Sequence, residues 1–245
     1  MDVLDKIGQY GLLLYRAMRS AYEVRTYRKN LVNELVKIGY ESLPIVLLTG
    51  IFTGAVMTLQ TAYQLEAAFI PRSIIGAIVS ESILIELAAV ITSLVLAGKV
   101  GARIATELGT MRVSEQIDAL ESMGFNSASF LVVPRVLAGL VMFPVLYIVA
   151  SASGVAGGVV AGVLSGTLPA AEFMEGARTF FFPWDVSFGL LKAFVFGYVI
   201  TSVSCYKGYY ASGGAEGVGT STTQATVLSC IYVLLADFVL AAIIL

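Results

Sequence analysis

Long apolar runs are the feature that most constrains the fold of this 245-residue chain. A helix needs about 20 apolar residues to cross the hydrocarbon core of a bilayer. Inside a bilayer every backbone polar group must be satisfied within the protein, which such runs achieve as helices. The chain is 58% hydrophobic and 13% charged, whereas soluble domains carry about 25% charged residues. The sequence therefore predicts an all-α integral membrane protein. The runs that reach spanning length are 44–65, 73–98, 136–168, 186–205 and 224–245.

The run 136–168 leaves the number of spans open between five and six. As a single helix it would reach about 50 Å, against a hydrocarbon core of about 30 Å. Pro144 and several glycines between residues 154 and 162 offer places for a break. One long kinked helix with a re-entrant piece fits the pattern, and so do two separate helices.

The distribution of lysine and arginine predicts the orientation. Residues 1–43 and 99–135 carry most of the basic side chains, whereas 66–72 carries one. By the positive-inside rule the first two stretches face the cytoplasm and the turn 66–72 lies outside. Residues 4–30 mix leucines with arginines, which favours an interfacial amphipathic helix on the cytoplasmic leaflet over a solvated basic tail. We therefore separate an interfacial segment, 1–40, from a membrane domain, 41–245.

The polar interruption 99–124 is too long for a simple connector between two spans. Within it, Val113, Ile117, Leu120 and Gly124 recur at i, i+4, i+7 and i+11, which predicts a short amphipathic helix. Its apolar stripe either packs back on the membrane domain or docks into a groove on a soluble partner. The chain lacks the nucleotide motif G-x-x-x-x-G-K-[ST], so a pump of this kind needs an outside energy source.

Acidic residues inside apolar runs are functional candidates, because a charge at mid-helix costs about 2.5–3.5 kcal/mol. Glu81 and Glu86 lie in the second run and Asp237 in the fifth. They either line a polar path or lock helices together, or they lie near the interface and are solvated. Lys192 lies near one end of its run, and we expect no basic residue deep in any span. No intramembrane ion pair is therefore predicted.

Two glycines in the first run, Gly50 and Gly54, are four residues apart. This spacing lets two helices approach closely, either in a dimer or within one chain. Gln60 further along the run either lines a cavity or marks the interface. The chain has no histidine, which removes the commonest general base. Cys205 and Cys230 form no C-x-x-C motif, and we expect two buried small side chains.

The polar interruption and several shorter stretches carry a family resemblance. The string GKVGARIATELGTMRVSEQIDALESMG at 98–124, followed by VVPR at 132–135, closely resembles the hallmark of MlaE permeases. These are the membrane subunits of MCE-type ABC transporters. The likeness covers most of the chain from about residue 40 onward. Further matching strings are GIFTG at 50–54, LQ at 59–60, GYY at 208–210, GVGTSTTQATV at 217–227 and ADF at 236–238.

The resemblance implies an assembly. It implies an interfacial N-terminal helix, five transmembrane helices and a homodimer that holds phospholipid in a cavity between its subunits. Two cytoplasmic ATPase subunits bind ATP and magnesium, so this chain needs no cofactor and is not itself an enzyme. A hexamer of MCE domains lies on the periplasmic side, and no nucleic acid is a partner. The implied location is the inner membrane of a Gram-negative bacterium, multi-pass with a cytoplasmic N-terminus, although a plastid envelope relative also fits.

The resemblance also assigns roles to residues. It places a coupling helix at 115–123, within a coupling segment 99–130. We expect the helix to receive the ATPase motion through Glu115, Gln116, Ile117, Asp118, Leu120, Glu121 and Met123. We expect Gly50, Gly54, Gln60 and Glu86 at the lipid cavity or at helix contacts. In one departure, family members read Arg-Glu-Leu-Gly-Pro where this chain has Ile-Glu-Leu-Ala-Ala at 85–89, so Glu86 lacks the neighbouring arginine.

The predicted function is that of a permease subunit that moves phospholipids between the inner and outer membranes. A secondary transporter or channel without ATP is an alternative that acidic residues in spans permit. It gives the cytoplasmic helix no role, and five spans make a poor inverted repeat. An intramembrane lipid-modifying enzyme is a further alternative, with Glu81, Glu86 and Asp237 as acid–base groups. It lacks a histidine, a nucleophile motif and a metal set.

Overall fold

The protein is built from helices. The computed structural model describes residues 3–19, 24–65 and 71–244, and this part of the chain contains no strand. The predicted all-α class is therefore confirmed. The helices are α1 (Val3–Arg19), α2 (Val24–Ile38), α3 (Leu43–Leu65), α4 (Ser73–Ser82), α5 (Ala88–Leu96), α6 (Ala102–Val113), α7 (Gln116–Ser122), α8 (Ser127–Leu164), α9 (Ala170–Thr179), α10 (Pro183–Tyr209) and α11 (Gly214–Ile244).

Five helical stretches in the described residues are long and apolar enough to cross a bilayer, as judged by length and composition. The stretch Ser127–Leu164 is a single helix of 38 residues, about 57 Å at 1.5 Å per residue. The run 136–168 therefore supplies one span, and the count is five. The five stretches are Arg28–Leu65, Ser73–Val113, Ser127–Leu164, Pro183–Tyr209 and Gly214–Ile244.

The polar interruption is mostly a continuation of the second span. Residues 99–113 belong to the helical stretch that begins at Ser73, so a separate helix forms only at Gln116–Ser122. The ionisable side chains of 99–113 do not end the helix, because helices tolerate charges that find partners or solvent. Two π-helical turns, Ile83–Leu87 and Ala97–Gly101, interrupt the stretch. Such turns are frequent at functional sites, and the first contains Glu86.

In the N-terminal segment the structure describes one helix on each side of residues 20–23. In α1 the side chains of Leu13 and Ala17 are buried, while Arg16 and Arg19 are exposed, as expected for an amphipathic interfacial helix. Part of the predicted pattern, including 20–23 and the side chains of residues 4, 7, 18 and 25, lies outside the described residues. The same holds for residues 66–70 of the turn predicted to lie outside.

The chain divides into two compact units that interleave along the sequence. One comprises Met1–Tyr40, Leu94–Met142 and Val195–Leu245, and the other comprises Glu41–Ser93 and Phe143–Phe194. We call them the first and second unit. The N-terminal residues 1–40, which the sequence analysis sets apart, thus share the first unit with two later parts of the chain.

Close helix contacts build each unit. In the first unit, α6 packs on α10 and α11, where an added Cβ at Gly109 or Gly208 would press on Val218 or Ala105. In the second unit, α4 packs on α9, where a Cβ at Gly76 would overlap the backbone of Phe173. The hydrophobic effect does not drive helices together in lipid. Small residues at such contacts allow the close van der Waals packing that holds the helices together instead.

Candidate functional site

The predicted coupling helix is present as α7, a helix of seven residues. Glu115 has a positive φ of 59°, which turns the chain sharply between α6 and α7. Gly124, with φ of 82°, ends the segment after Met123. A left-handed residue other than glycine is uncommon and costs conformational energy. The turn therefore separates α7 from the long helical stretch before it.

The side chains of α7 divide into an inner and an outer face. Ile117 is fully buried within the chain and Leu120 is half-buried. Of the two alternatives for the apolar stripe, the structure has Ile117 packed back on its own chain, which already covers this side chain. The outer face carries Glu115, Gln116, Asp118, Ala119, Glu121, Ser122 and Met123, all of which are exposed.

Polar contacts hold the C-terminal end of α7 against α8 and α10 of the first unit, to which α7 also belongs. Glu121 Oε1 accepts a hydrogen bond from Ser127 Oγ at 2.6 Å and another from the Tyr209 hydroxyl at 3.0 Å. The bond from Ser127 is the main cause that holds the pKa of the Glu121 carboxyl below its usual value, with Tyr209 and the charge of Arg112 adding to it. Glu121, expected to contact an ATPase, thus also anchors α7 to α8 and α10.

A cluster of charged side chains in the first unit was not predicted as a site. Glu34 of α2 lies 3.2 Å from Arg103 Nη2 and 3.5 Å from Arg135 Nε. Glu107 lies 3.2 Å from both Arg135 Nη2 and Lys37 Nζ. Glu34 and Arg135 are buried. We call these five residues the ion cluster. It joins α2, α6 and α8. Its signal in the sequence was the charge of Arg103, Glu107 and Arg135 within the matching family strings, and Glu34 and Lys37 lie outside those strings.

The glycine pair of the first run makes a contact within the chain. An added Cβ at Gly50 would overlap Ser153 and Ala150, and one at Gly54 would overlap the carbonyl group of Gly154. Both glycines thus bring α3 close to α8. The remaining crevice beside Gly50 has a volume of about 10 Å³, too small for a lipid chain. Of the two alternatives, the structure has the intramolecular contact.

Two other candidates in the second unit are exposed. Gln60 lies on the exposed side of α3, and Glu81 lies on the exposed side of α4. Neither belongs to the lining of the crevice beside Gly50, and each faces lipid, water or another chain. Asp237 is half-buried on α11 of the first unit.

Glu86 has a cationic partner, contrary to the sequence prediction. Lys192 Nζ lies 2.5 Å from Glu86 Oε2, with the lysine side chain fully buried and the glutamate side chain 41% exposed. The same ammonium lies 4.7 Å from the centroid of the Phe188 ring. The expectation that no basic residue lies deep in a span was wrong, because α10 begins at Pro183 and Lys192 is more than two turns inside it.

An apolar groove was also missed. It has a volume of about 480 Å³ and lies among α4, α8 and α9 of the second unit. Its walls include Leu84, Ile148, Val155 and Met174, and Arg178 is its basic residue. Sequence patterns reveal the apolar side chains but not the space between helices. Within the described residues, no three Cys, Asp or Glu side chains are grouped so that they could hold a metal ion.

Comparisons with known proteins place this chain among membrane permeases. The family described as Permease MlaE matches residues 31–243. A probable ABC transporter permease protein of Rickettsia bellii is 38% identical over 96% of this chain and 91% of its own length. A probable ABC transporter permease protein of Synechocystis is 38% identical over 89% of this chain and 82% of its own length.

A plant protein is similar as well. The chloroplastic protein TRIGALACTOSYLDIACYLGLYCEROL 1 of Arabidopsis thaliana is 36% identical over 87% of this chain and 61% of its own length. The family match over residues 31–243 includes α7 and the ion cluster. The chain therefore belongs to the MlaE permease family and is a multi-pass permease subunit of an ABC transporter.

Proposed function

We propose that this permease moves phospholipids between the inner and outer membranes of a Gram-negative bacterium. The Arabidopsis relative is named after a diacylglycerol lipid, which supports a lipid as the substrate of this permease. The apolar groove of about 480 Å³ is of the size that binds a small apolar ligand or part of an acyl chain. The permease acts as a homodimer with two ATPase subunits and a periplasmic hexamer of MCE domains, and it carries no cofactor of its own.

The ATPase contact lies on the outer face of α7. The observation that carries this assignment is the division of that helix: Ile117 anchors it inward, while Gln116, Asp118, Ala119 and Met123 point outward. A short helix held by a buried side chain transmits a push to the spans that follow it, because packed interiors deform little. The basic residues around it support a cytoplasmic position, with the N-terminus on the same side.

Exposed apolar faces support a dimer. On α3 these side chains include Phe52 and Val56, and on α11 they include Leu235 and Phe238, all well exposed. Only 11% of the most apolar window of α11 is buried within the chain. Such faces meet either lipid or another protein, and a second copy would bury them together with a lipid cavity.

Two alanine variants test the ATPase contact. Ala119 lies on the outer face of α7, and Ala171 is an equally exposed alanine on α9. Both variants, Ala119→Arg and Ala171→Arg, add the same bulk and charge at a helical position. We expect Ala119→Arg to keep the melting temperature of the purified permease but to lose the co-purifying ATPase. The Ala171→Arg variant should retain it. An intact complex in Ala119→Arg would place the contact elsewhere.

The lipid assignment has its own measurement. The complex is purified from native membranes, and its bound molecules are extracted and identified by mass spectrometry. We expect phospholipid together with ATPase and MCE subunits. A permease that is purified alone, and that transports an ion or solute in liposomes without ATP, would favour the secondary transporter instead.

A further inference from the structure

A polar cleft in the first unit has no role in the function proposed above. It has a volume of about 500 Å³, within the range of about 300–1,000 Å³ that is usual for small-molecule sites. Its lining includes Gln9 of α1, Tyr206, Lys207 and Tyr210 at the end of α10, and Glu216 and Gln224 of α11. We call this space the tyrosine cleft.

The tyrosine cleft lies where lipid headgroups are expected. The span that contains α10 ends at Tyr209, and the span of α11 begins at Gly214. The amphipathic helix α1 is fixed beside them, because the Tyr10 hydroxyl donates a hydrogen bond to Ser202 Oγ at 2.9 Å. Burial raises the pKa of Tyr10 to about 12, so this donor keeps its proton. Tyrosines concentrate at such membrane–water boundaries.

A tight turn shapes one wall. Gly213 and Gly214 have φ of 96° and 67°, a conformation that favours glycine. An added Cβ at Gly217 would overlap the carbonyl group of Ser212. The first turns of α11 can therefore approach the end of α10 closely. Thr220 and Ser221 of α11 also border the space and add hydroxyl groups to it.

The lining carries both signs of charge. Lys207 Nζ donates a hydrogen bond to Gln224 Oε1 at 3.0 Å and lies 5.9 Å from the centroid of the Tyr206 ring. Lysine is a common phosphate-binding side chain, acting as a point charge. Glu216 supplies a carboxylate, and the faces of Tyr206 and Tyr210 attract cations. The tyrosine cleft thus offers one place for a phosphate and another for an ammonium group.

We propose that the tyrosine cleft binds a phosphate ester that also carries an ammonium group, as in the headgroup of phosphatidylethanolamine. Lys207, with the hydroxyls of Thr220 and Ser221, holds the phosphate. Glu216 and the tyrosine rings hold the ammonium. A headgroup that is only anionic leaves Glu216 facing negative charge, which disfavours it. The inference rests on the proposed lipid substrate, and its location beside two spans favours a membrane lipid over a soluble ester.

The test uses the whole permease in nanodiscs. A trace of phosphatidylethanolamine, with a photoreactive diazirine on the acyl chain next to the glycerol, is activated by light, and the labelled peptides are mapped by mass spectrometry. We expect labelling within residues 206–224. Unlabelled phosphatidylethanolamine should compete about tenfold better than phosphatidylglycerol, as expected for one charge-assisted hydrogen bond.

Charge-neutralising variants assign the two groups. Lys207→Gln should lower labelling about tenfold, the size of one lost charge-assisted contact. Glu216→Gln should keep labelling but remove the preference between the two lipids. The matched controls are Lys29→Gln and Glu175→Gln, at exposed positions outside the tyrosine cleft, and both should behave as the unmodified protein. The melting temperatures of all four variants show whether they fold. If Lys207→Gln does not fold, the result for Glu216→Gln decides whether the proposal stands.

Three outcomes overturn the proposal. One is the absence of labelling in 206–224. Another is equal competition by phosphatidylglycerol, which removes recognition of the ammonium. The third is competition by soluble phosphoethanolamine as strong as that of the lipid, which makes the ligand a soluble ester. Loss of co-purifying ATPase or phospholipid would instead contradict the proposed function, so the two failures are distinguishable.

Discussion

The Glu86–Lys192 pair shows how unequally two residues can share one interaction. Lys192 is fully buried, whereas the side chain of Glu86 keeps 41% of its exposure. Removing the lysine leaves a carboxylate that is partly exposed at the surface of the chain. Removing the glutamate charge leaves an ammonium group buried without this partner. The energetic cost therefore depends on which member of the pair is changed.

We expect Glu86→Gln to destabilise the protein more than Lys192→Met. The glutamine variant should lose about 3 kcal/mol of unfolding free energy, as when one partner of a buried ion pair is removed. Lys192→Met should lose much less, and the double variant should regain most of the loss of Glu86→Gln. Denaturation of the purified permease in detergent measures all three. A loss in Lys192→Met as large as in Glu86→Gln would contradict the asymmetry.

The sequence pattern predicted Glu86 as a functional candidate but placed Lys192 only near one end of its run. A charge in an apolar run is visible in the printed chain, whereas its partner lies 106 residues away. Only the packing of two helices decides whether such side chains meet. The exact start of α10 also mattered, because the apolar run begins at 186 and the helix at Pro183.

Helix α7 shows what periodicity can and cannot predict. The apolar spacing over 113–124 predicted a short helix, and the family resemblance placed it at 115–123, within one residue of the observed ends, Gln116 and Ser122. The same spacing identifies an apolar stripe but not what covers it. The structure covers Ile117 with its own chain, so the apolar stripe is used for anchoring. The exposed polar side is left for a partner, the reverse of the usual expectation for a docking helix.

The anchoring of α7 predicts a dependence on pH. Hydrogen bonds hold the pKa of Glu121 below its usual 4.5. A lowered folded-state pKa contributes stability that is present above the usual value and is lost as the pH falls through the lowered one. We expect Ser127→Ala, which removes the main cause, to lower the melting temperature at pH 7.

The difference from the unmodified protein should shrink as the pH falls below 4.5 and through the lowered pKa of Glu121, where this carboxyl becomes protonated. Melting curves between pH 3 and 8 measure it. Ser122→Ala is the control, because the Ser122 hydroxyl bonds only to the Ala119 carbonyl in the same helix. A difference between Ser127→Ala and the unmodified protein that is constant across this range would show that Glu121 is not involved.

Across the whole molecule, the sequence predicted the helical class and the family, and the structure added the count of five spans. The sequence did not predict the ion cluster. Glu34, Arg103 and Arg135 belong to three different helices, and the pattern of apolar residues does not show which helices pack together. The charges of Arg103 and Arg135 were interpreted as signals of orientation. The structure uses them for packing, since Glu34 and Arg135 are buried.

We expect Arg135→Met to lower the unfolding free energy by about 3–5 kcal/mol, because Glu34 and Glu107 then lose a buried cation. Arg28→Met is the matched control at an exposed position of α2 and should change stability by less than about 0.5 kcal/mol. Chemical denaturation in detergent compares them. Equal effects of the two substitutions would mean that the ion cluster contributes no stability.

The ion cluster also orders the events of synthesis. Glu34 leaves the ribosome 69 residues before Arg103, and Arg135 follows later still. Until both arginines have been synthesised, the Glu34 carboxylate lacks them as partners, and burying this charge alone costs free energy. Helix α2 therefore reaches its final position only after the third span has begun to emerge. We expect a nascent chain that stops before Arg103 to keep this helix at the membrane surface, because Glu34 then lacks both arginines.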